Sequence, residues 1–131
     1  MKHGGYNVVI PASIKPRPKM HEETAASILA EYFQADVYFI VGSTQRTPDV
    51  LVKTVRWEIK SVQGDSPNTI KNNMRKAVTQ SGNIVIDLRR SRLHQARAVG
   101  YIRHFLNYEN AARKIKRLIV INQVGEILVV R

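Results

Sequence analysis

Eight residues separate Asp49 from Glu58, and Lys60 follows Glu58 by two, within Pro48-Asp49-Val50-Leu51-Val52 and Val55-Arg56-Trp57-Glu58-Ile59-Lys60. Two carboxylates and an amine converging on one surface suit metal-dependent hydrolysis of a phosphodiester. Such a reaction needs a hard divalent cation to polarise the phosphate and acidify a bound water. It needs oxygen ligands for that cation, and one or two carboxylates beside water and substrate phosphate suffice for Mg²⁺. It also needs a positive group where negative charge develops or where the water must be oriented. Asp49 and Glu58 can supply the ligands and Lys60 the amine.

The elements that must position these residues can be read from their pattern. Val55, Trp57 and Ile59 alternate with Arg56, Glu58 and Lys60, a strand with one apolar and one charged face. Asp49 to Val52 reads as a second strand. With Lys53-Thr54 as the turn, Val52 meets Val55 and Asp49 falls opposite Glu58, where Cβ atoms lie roughly 4.5–5.5 Å apart. Like charges that close repel unless a cation lies between them. Lys-Thr lacks the Asn-Gly chemistry that favours two-residue turns, and a four-residue loop keeps the same parity. The bland alternative is an edge hairpin with a solvated charged face.

These residues resemble the core of the PD-(D/E)xK nuclease superfamily. More narrowly, the chain is similar to the C-terminal nuclease toxin domains of contact-dependent inhibition systems, several of which cut tRNA. The resemblance runs from His21-Glu22 at a helix start, through Pro48-Asp49 and Trp57-Glu58-Ile59-Lys60-Ser61, to Thr69-Ile70, Gln80 and Asn83-Ile84-Val85-Ile86-Asp87. It implies a restriction-endonuclease-like αβββαβ core. It implies that Asp49 and Glu58 bind Mg²⁺ or Mn²⁺, that Glu22 adds a carboxylate from the first helix, that Lys60 assists the attacking water, and that Gln80 points in from the second helix. tRNA as substrate and an acidic immunity protein as partner are implied in the same way.

Composition narrows the classes of partner. Twenty-one Lys and Arg face 10 Asp and Glu, a formal charge of +11 over 131 residues. Such a field suits a polyanion, foremost nucleic acid. There is no cysteine, which leaves no disulfide framework and no cysteine-based zinc site and fits a cytoplasmic resting place. No apolar run approaches the roughly 18 residues of a membrane span, and no basic helix carries an aromatic opposite face, so no membrane partner is expected.

The length fits one domain, residues 1–131, with an irregular, Pro- and Gly-containing arm over 1–19 and a short strand at 7–10. A helix is expected over 21–33, with Ala25, Ala26, Leu29, Ala30 and Phe33 as its apolar stripe. Glu22 lies on that stripe; Glu23 is the alternative site carboxylate. A strand at 37–41, a loop at 42–47 and the hairpin follow. Ser66-Pro67 caps a second helix that Gly82 ends. Strand 84–88, a helix over 95–116 interrupted near Gly100 and 107–110, and a hairpin over 118–130 complete a mixed central sheet flanked by helices, an α/β fold with a C-terminal helix and hairpin. Lys71, Arg75 and Lys76 on the second helix, with Arg89, Arg90 and Arg92 after its strand, are expected phosphate contacts. His3, His21, His94 and His104 share no metal-ligand spacing, though His21 beside Glu22 could transfer a proton. No Ser-His-Asp arrangement supports a nucleophile.

Three readings follow. The first is a metal-dependent nuclease with Glu22, Asp49, Glu58, Lys60 and Gln80 at its site. The second is a junction-resolving, DNA-processing nuclease of a mobile element with the same chemistry. The third is a non-catalytic basic nucleic-acid-binding module.

Overall fold

Val8, Val37, Phe39, Val50 and Val52 recur at every second position of short runs. In the computed structural model of the chain they are the buried apolar residues of three neighbouring strands. The structure describes residues 2, 3, 5–41 and 49–131, so Pro48 and the loop expected over 42–47 lie outside the described residues. The chain packs as two compact units, Met1–Trp57 and Glu58–Arg131.

In the first unit, β1 (Lys2–His3) runs antiparallel to β2 (Tyr6–Val9). The chain then crosses through α1 (Met20–Phe33) to β3 (Val37–Phe39), which lies parallel to β2 with Val8 beside Val37. β3 pairs antiparallel with β4 (Asp49–Val52). α1 buries the expected Ala25, Ala26, Leu29 and Ala30. Phe33 packs its ring 5.3 Å from that of Trp57. The arm expected over 1–19 is irregular only beyond β2. Its first residues are drawn into the sheet because the edge of β3 offers backbone groups that must find partners.

β4 leads into β5 (Val55–Ser61) through Lys53 and Thr54 alone. Both turn residues have positive φ, 54° and 89°, the conformation of a type I′ hairpin turn. The two-residue turn is therefore the one adopted, without the residues that favour it.

In the second unit the order is β5, β6 (Asn83–Asp87), β7 (Arg117–Ile121), β8 (Ile127–Val129). β5, β6 and β7 are mutually parallel and β8 returns antiparallel. The parallel pairs are joined by α2 (Pro67–Val78) and α3 (Gln95–Tyr108), the crossovers such pairs require. Ile84, Val85 and Ile86 are all buried, as are Leu118 to Ile121, the continuous apolar pattern of strands covered on both faces. Ile70, Met74, Ile102 and Phe105 from the helices pack with Ile84, Ile86, Leu118 and Val120.

Ser66 caps α2 through its Oγ, which accepts from the Thr69 N–H, and Pro67 holds the first helical position. The helix ends at Val78 and not at Gly82. Gly82 answers a different constraint: a Cβ there would meet the Lys114 carbonyl oxygen at 2.8 Å. Its own carbonyl accepts the N–H groups of Lys116 and Arg117. α3 stops at Tyr108, and a 3-10 turn, Asn110–Lys114, follows after extended Glu109. From α1 onward the order is αβββαβ, then a helix and a hairpin, with helices flanking a mixed sheet. Among the described residues no helix is long and apolar enough to cross a membrane.

Candidate active site

Asp49 opens β4, and β4 buries Val50 and Val52 under α1 while carrying Asp49 and Leu51 on its other face. Asp49 is nevertheless buried. Its Oδ2 accepts a hydrogen bond from Arg56 Nη2. Its Oδ1 is buried with no hydrogen-bond partner. A buried acceptor left unmatched costs about 1–3 kcal/mol, and a bound ion or water is the usual partner of such an atom. An unmatched carboxylate oxygen is the kind of ligand a hard cation takes.

Glu22 is the third helical residue of α1. Its Oε1 accepts the Lys19 N–H at 2.7 Å, which satisfies the helix start. Glu23 pairs with Arg17 at 3.3 Å. Both helix carboxylates considered from the sequence thus have local partners. Among the described residues no group of three or more His, Asp or Glu side chains could hold a metal ion.

In the second unit, Glu58 and Lys60 lie on β5, in register with Ile84 and Ile86 of β6. Lys60 Nζ stands 3.6 Å from Glu58 Oε1. Among the described residues the buried charged side chains are Asp49, Glu58, Lys60 and Asp87, at 1%, 0%, 5% and 1% exposure. Three of these four make up the spaced motif. The solvated charged face of an edge hairpin is thereby excluded. The sequence alternation placed these charges away from the apolar face, but that side of β5 is buried as well.

Gln80 lies in the turn that closes α2, beyond its last helical residue, with its N–H bonded to the Ala77 carbonyl at 2.9 Å. Of the expected phosphate contacts, Lys71 and Arg75 both bind Glu109, at 3.3 and 3.1 Å. The bond from Lys71 chiefly holds the Glu109 carboxyl below its ordinary pKa; partial burial opposes this and Arg75 adds to it. Lys76, Arg90 and Arg92 are exposed. Arg89 grips buried Asp87 with two side-chain bonds, Nε to Oδ1 at 3.0 Å and Nη2 to Oδ2 at 2.7 Å. The loop bearing these arginines is fastened by Ser91, whose Oγ donates to the Gly64 carbonyl and accepts from the Leu93 N–H.

Sequence reasoning missed two of these features, the Arg56 bond to Asp49 and the Asp87–Arg89 clamp. Arg56 could have been suspected from its place on the same strand face as Glu58. Asp87 carried only the weak signal of a lone acid ending an apolar run.

The sequence profile of the contact-dependent growth inhibition CdiA C-terminal domain matches residues 46–127. The chain belongs to that family. Its members are the C-terminal toxin domains of contact-dependent inhibition. The CdiA C-terminal match takes in Asp49, Glu58, Lys60, Gln80 and the expected basic contacts, and begins after α1, so Glu22 falls outside it. A solved structure described as a CdiA-CT/CdiI toxin and immunity complex from Burkholderia pseudomallei is similar to this CdiA C-terminal domain. The TM-score is 0.71 at 20% identity, over 97% of this chain and 99% of the other, which establishes a shared fold. No curated protein matches the chain.

Proposed function

We propose that this growth-inhibition domain is a metal-dependent nuclease of the PD-(D/E)xK type. The observation that carries the reading is the burial of Asp49, Glu58 and Lys60, at the Asp-x8-Glu-x-Lys spacing, in a chain of net charge +11. Basic domains keep carboxylates in water unless something binds them, because an ion taken out of water without a partner costs several kcal/mol, to order of magnitude.

Asp49 and Glu58 would hold Mg²⁺ or Mn²⁺, and the unmatched Oδ1 of Asp49 supports that role. Bound there, the cation supplies polarisation of the phosphate and a lower pKa for its water. Lys60, with its Nζ 3.6 Å from Glu58 Oε1, orients the attacking water. Arg56 fixes Asp49 through Oδ2 and leaves Oδ1 for the cation. Glu22, engaged at its helix start, and Gln80 are supporting candidates for holding water or phosphate. Lys76, Arg90 and Arg92 are proposed phosphate contacts, with Lys71, Arg75 and Arg89 joining them when released from their acids. A cytoplasmic nucleic acid, tRNA or another RNA first, is the proposed substrate. An acidic immunity protein is the proposed partner, since the fold neighbour is described as a toxin and immunity complex and this chain is strongly basic.

The test is cleavage of total tRNA, ribosomal RNA, plasmid and branched DNA with Mg²⁺, Mn²⁺ or EDTA. Cutting that needs metal and disappears in Asp49→Asn is expected. Binding without cutting under any metal would replace the nuclease with a binding module, and selective cutting of branched DNA would move it to junction resolution.

A further inference from the structure

The strands of the first unit have two faces, and α1 covers only one. Val8, Val37, Phe39, Val50 and Val52 lie on the covered side. The other side presents Tyr38 and Leu51, directly paired and 44% and 37% exposed. Val9 extends the row on β2, since it is in register with Tyr38. Asp49 is on this same side, two residues before Leu51, and the Ile40 N–H donates to its carbonyl. Tyr38 is thus the diagonal neighbour of Asp49, and such neighbours lie roughly 7–8 Å apart. Arg56, half-exposed, reaches to Asp49 at the edge of the row.

We propose that this face is a stacking floor for an unpaired nucleotide, with Tyr38 under the base. The proposal rests on the nuclease reading for its account of Asp49. An exposed ring on a sheet surface offers stacking to any base, because every base has a π-face. A base inside a duplex is already stacked on both sides and cannot use it, so the floor selects loops and single strands. The occupant is anionic because the chain carries +11 and an arginine flanks the row. A base over Tyr38 sets its own phosphate toward Asp49. Tyr38 is therefore a positioning residue of the proposed reaction.

The probe is a short oligonucleotide, as RNA and as DNA, with 2-aminopurine at one internal position, compared with its fully paired duplex. Binding is followed in EDTA by fluorescence, so it does not depend on cleavage. The wild-type chain is expected to bind the unpaired strand and quench the probe. Tyr38→Thr, which keeps a strand-forming residue, should lose the quenching and bind roughly five- to hundredfold more weakly. Tyr38→Trp should keep both. With metal added, Tyr38→Thr should slow cutting of unpaired substrate by a similar factor. Equal binding and quenching by wild type and Tyr38→Thr would overturn the proposal. So would a Tyr38→Thr chain that cuts normally but loses a dimer seen for wild type, which would give the face to a second copy. Quenching by a wild-type chain that cuts nothing would instead sink the nuclease reading and leave the stacking floor standing.

Discussion

Lys60 and Glu58 are almost without water, and a buried ion pair is costly to break from one side. Lys60→Ala would leave a carboxylate beside Ile84 and Ile86, and removal of one partner of a buried pair costs about 3–5 kcal/mol. Loss of activity in that variant would confound chemistry with folding. The double variant Glu58→Gln/Lys60→Met removes both charges at similar volume. Its urea midpoint is expected to recover most of the loss seen for Lys60→Ala, while cleavage stays absent. Recovery of cleavage in the double variant would remove both residues from the proposed mechanism. Asp49→Asn is the milder probe, since at equal size it keeps an acceptor for Arg56 while removing the charge and one acceptor oxygen.

At the scale of elements, the β4–β5 turn is the place where sequence and backbone disagree. Lys53 and Thr54 hold φ values of 54° and 89°, which β-branched Thr in particular resists. Lys53→Asn with Thr54→Gly should raise stability by about 1 kcal/mol, measured by denaturant unfolding, without altering the hairpin. Unchanged or lowered stability would mean that another contact dictates the turn. The strands themselves were legible because alternation in Val55 to Lys60 is strict, and the start of α2 was legible because Ser66-Pro67 has one mechanism. The end of α2 was not, because Gly82 is also the residue required where the chain passes the Lys114 carbonyl. Burial of the charged face of β5 was not legible either. A period of two separates faces but cannot tell which face is wet. For the site, the types and spacing of Asp49, Glu58 and Lys60 were readable, while their partners Arg56 and Glu109's hold on Lys71 and Arg75 needed the third dimension.

At the scale of the molecule, the excess of basic groups sets how it meets a polyanion. Binding should weaken linearly in log affinity against log salt, with a slope of about −0.7 to −0.9 per phosphate contacted. Glu109 withholds Lys71 and Arg75 from that count. Glu109→Gln should therefore bind RNA more tightly at low salt and steepen the slope; an unchanged slope would exclude both residues from the interface. The same variant has a pH signature. A folded carboxyl held below its ordinary value stabilises the fold above that value and loses the effect as pH falls through the lowered one. Urea unfolding across that acidic window should show wild-type stability falling toward that of Glu109→Gln, with the difference greatest near neutral pH. A constant difference would mean that the charge of Glu109 is not its source.

The parallel run of β5, β6 and β7 has a consequence in time. β6 sits between two strands that reach it only after a crossover helix each, and its last partner arrives with Arg117–Ile121. On a ribosome the second unit cannot close until nearly all of its chain has emerged, whereas the β3–β4 pair needs only residues already made. Pairings of such long sequence separation form slowly. Val85 and Ile86 therefore spend the longest interval as an uncovered strand edge. Any delay at that stage exposes an apolar strand edge, and conditions that favour the folded second unit should matter most there.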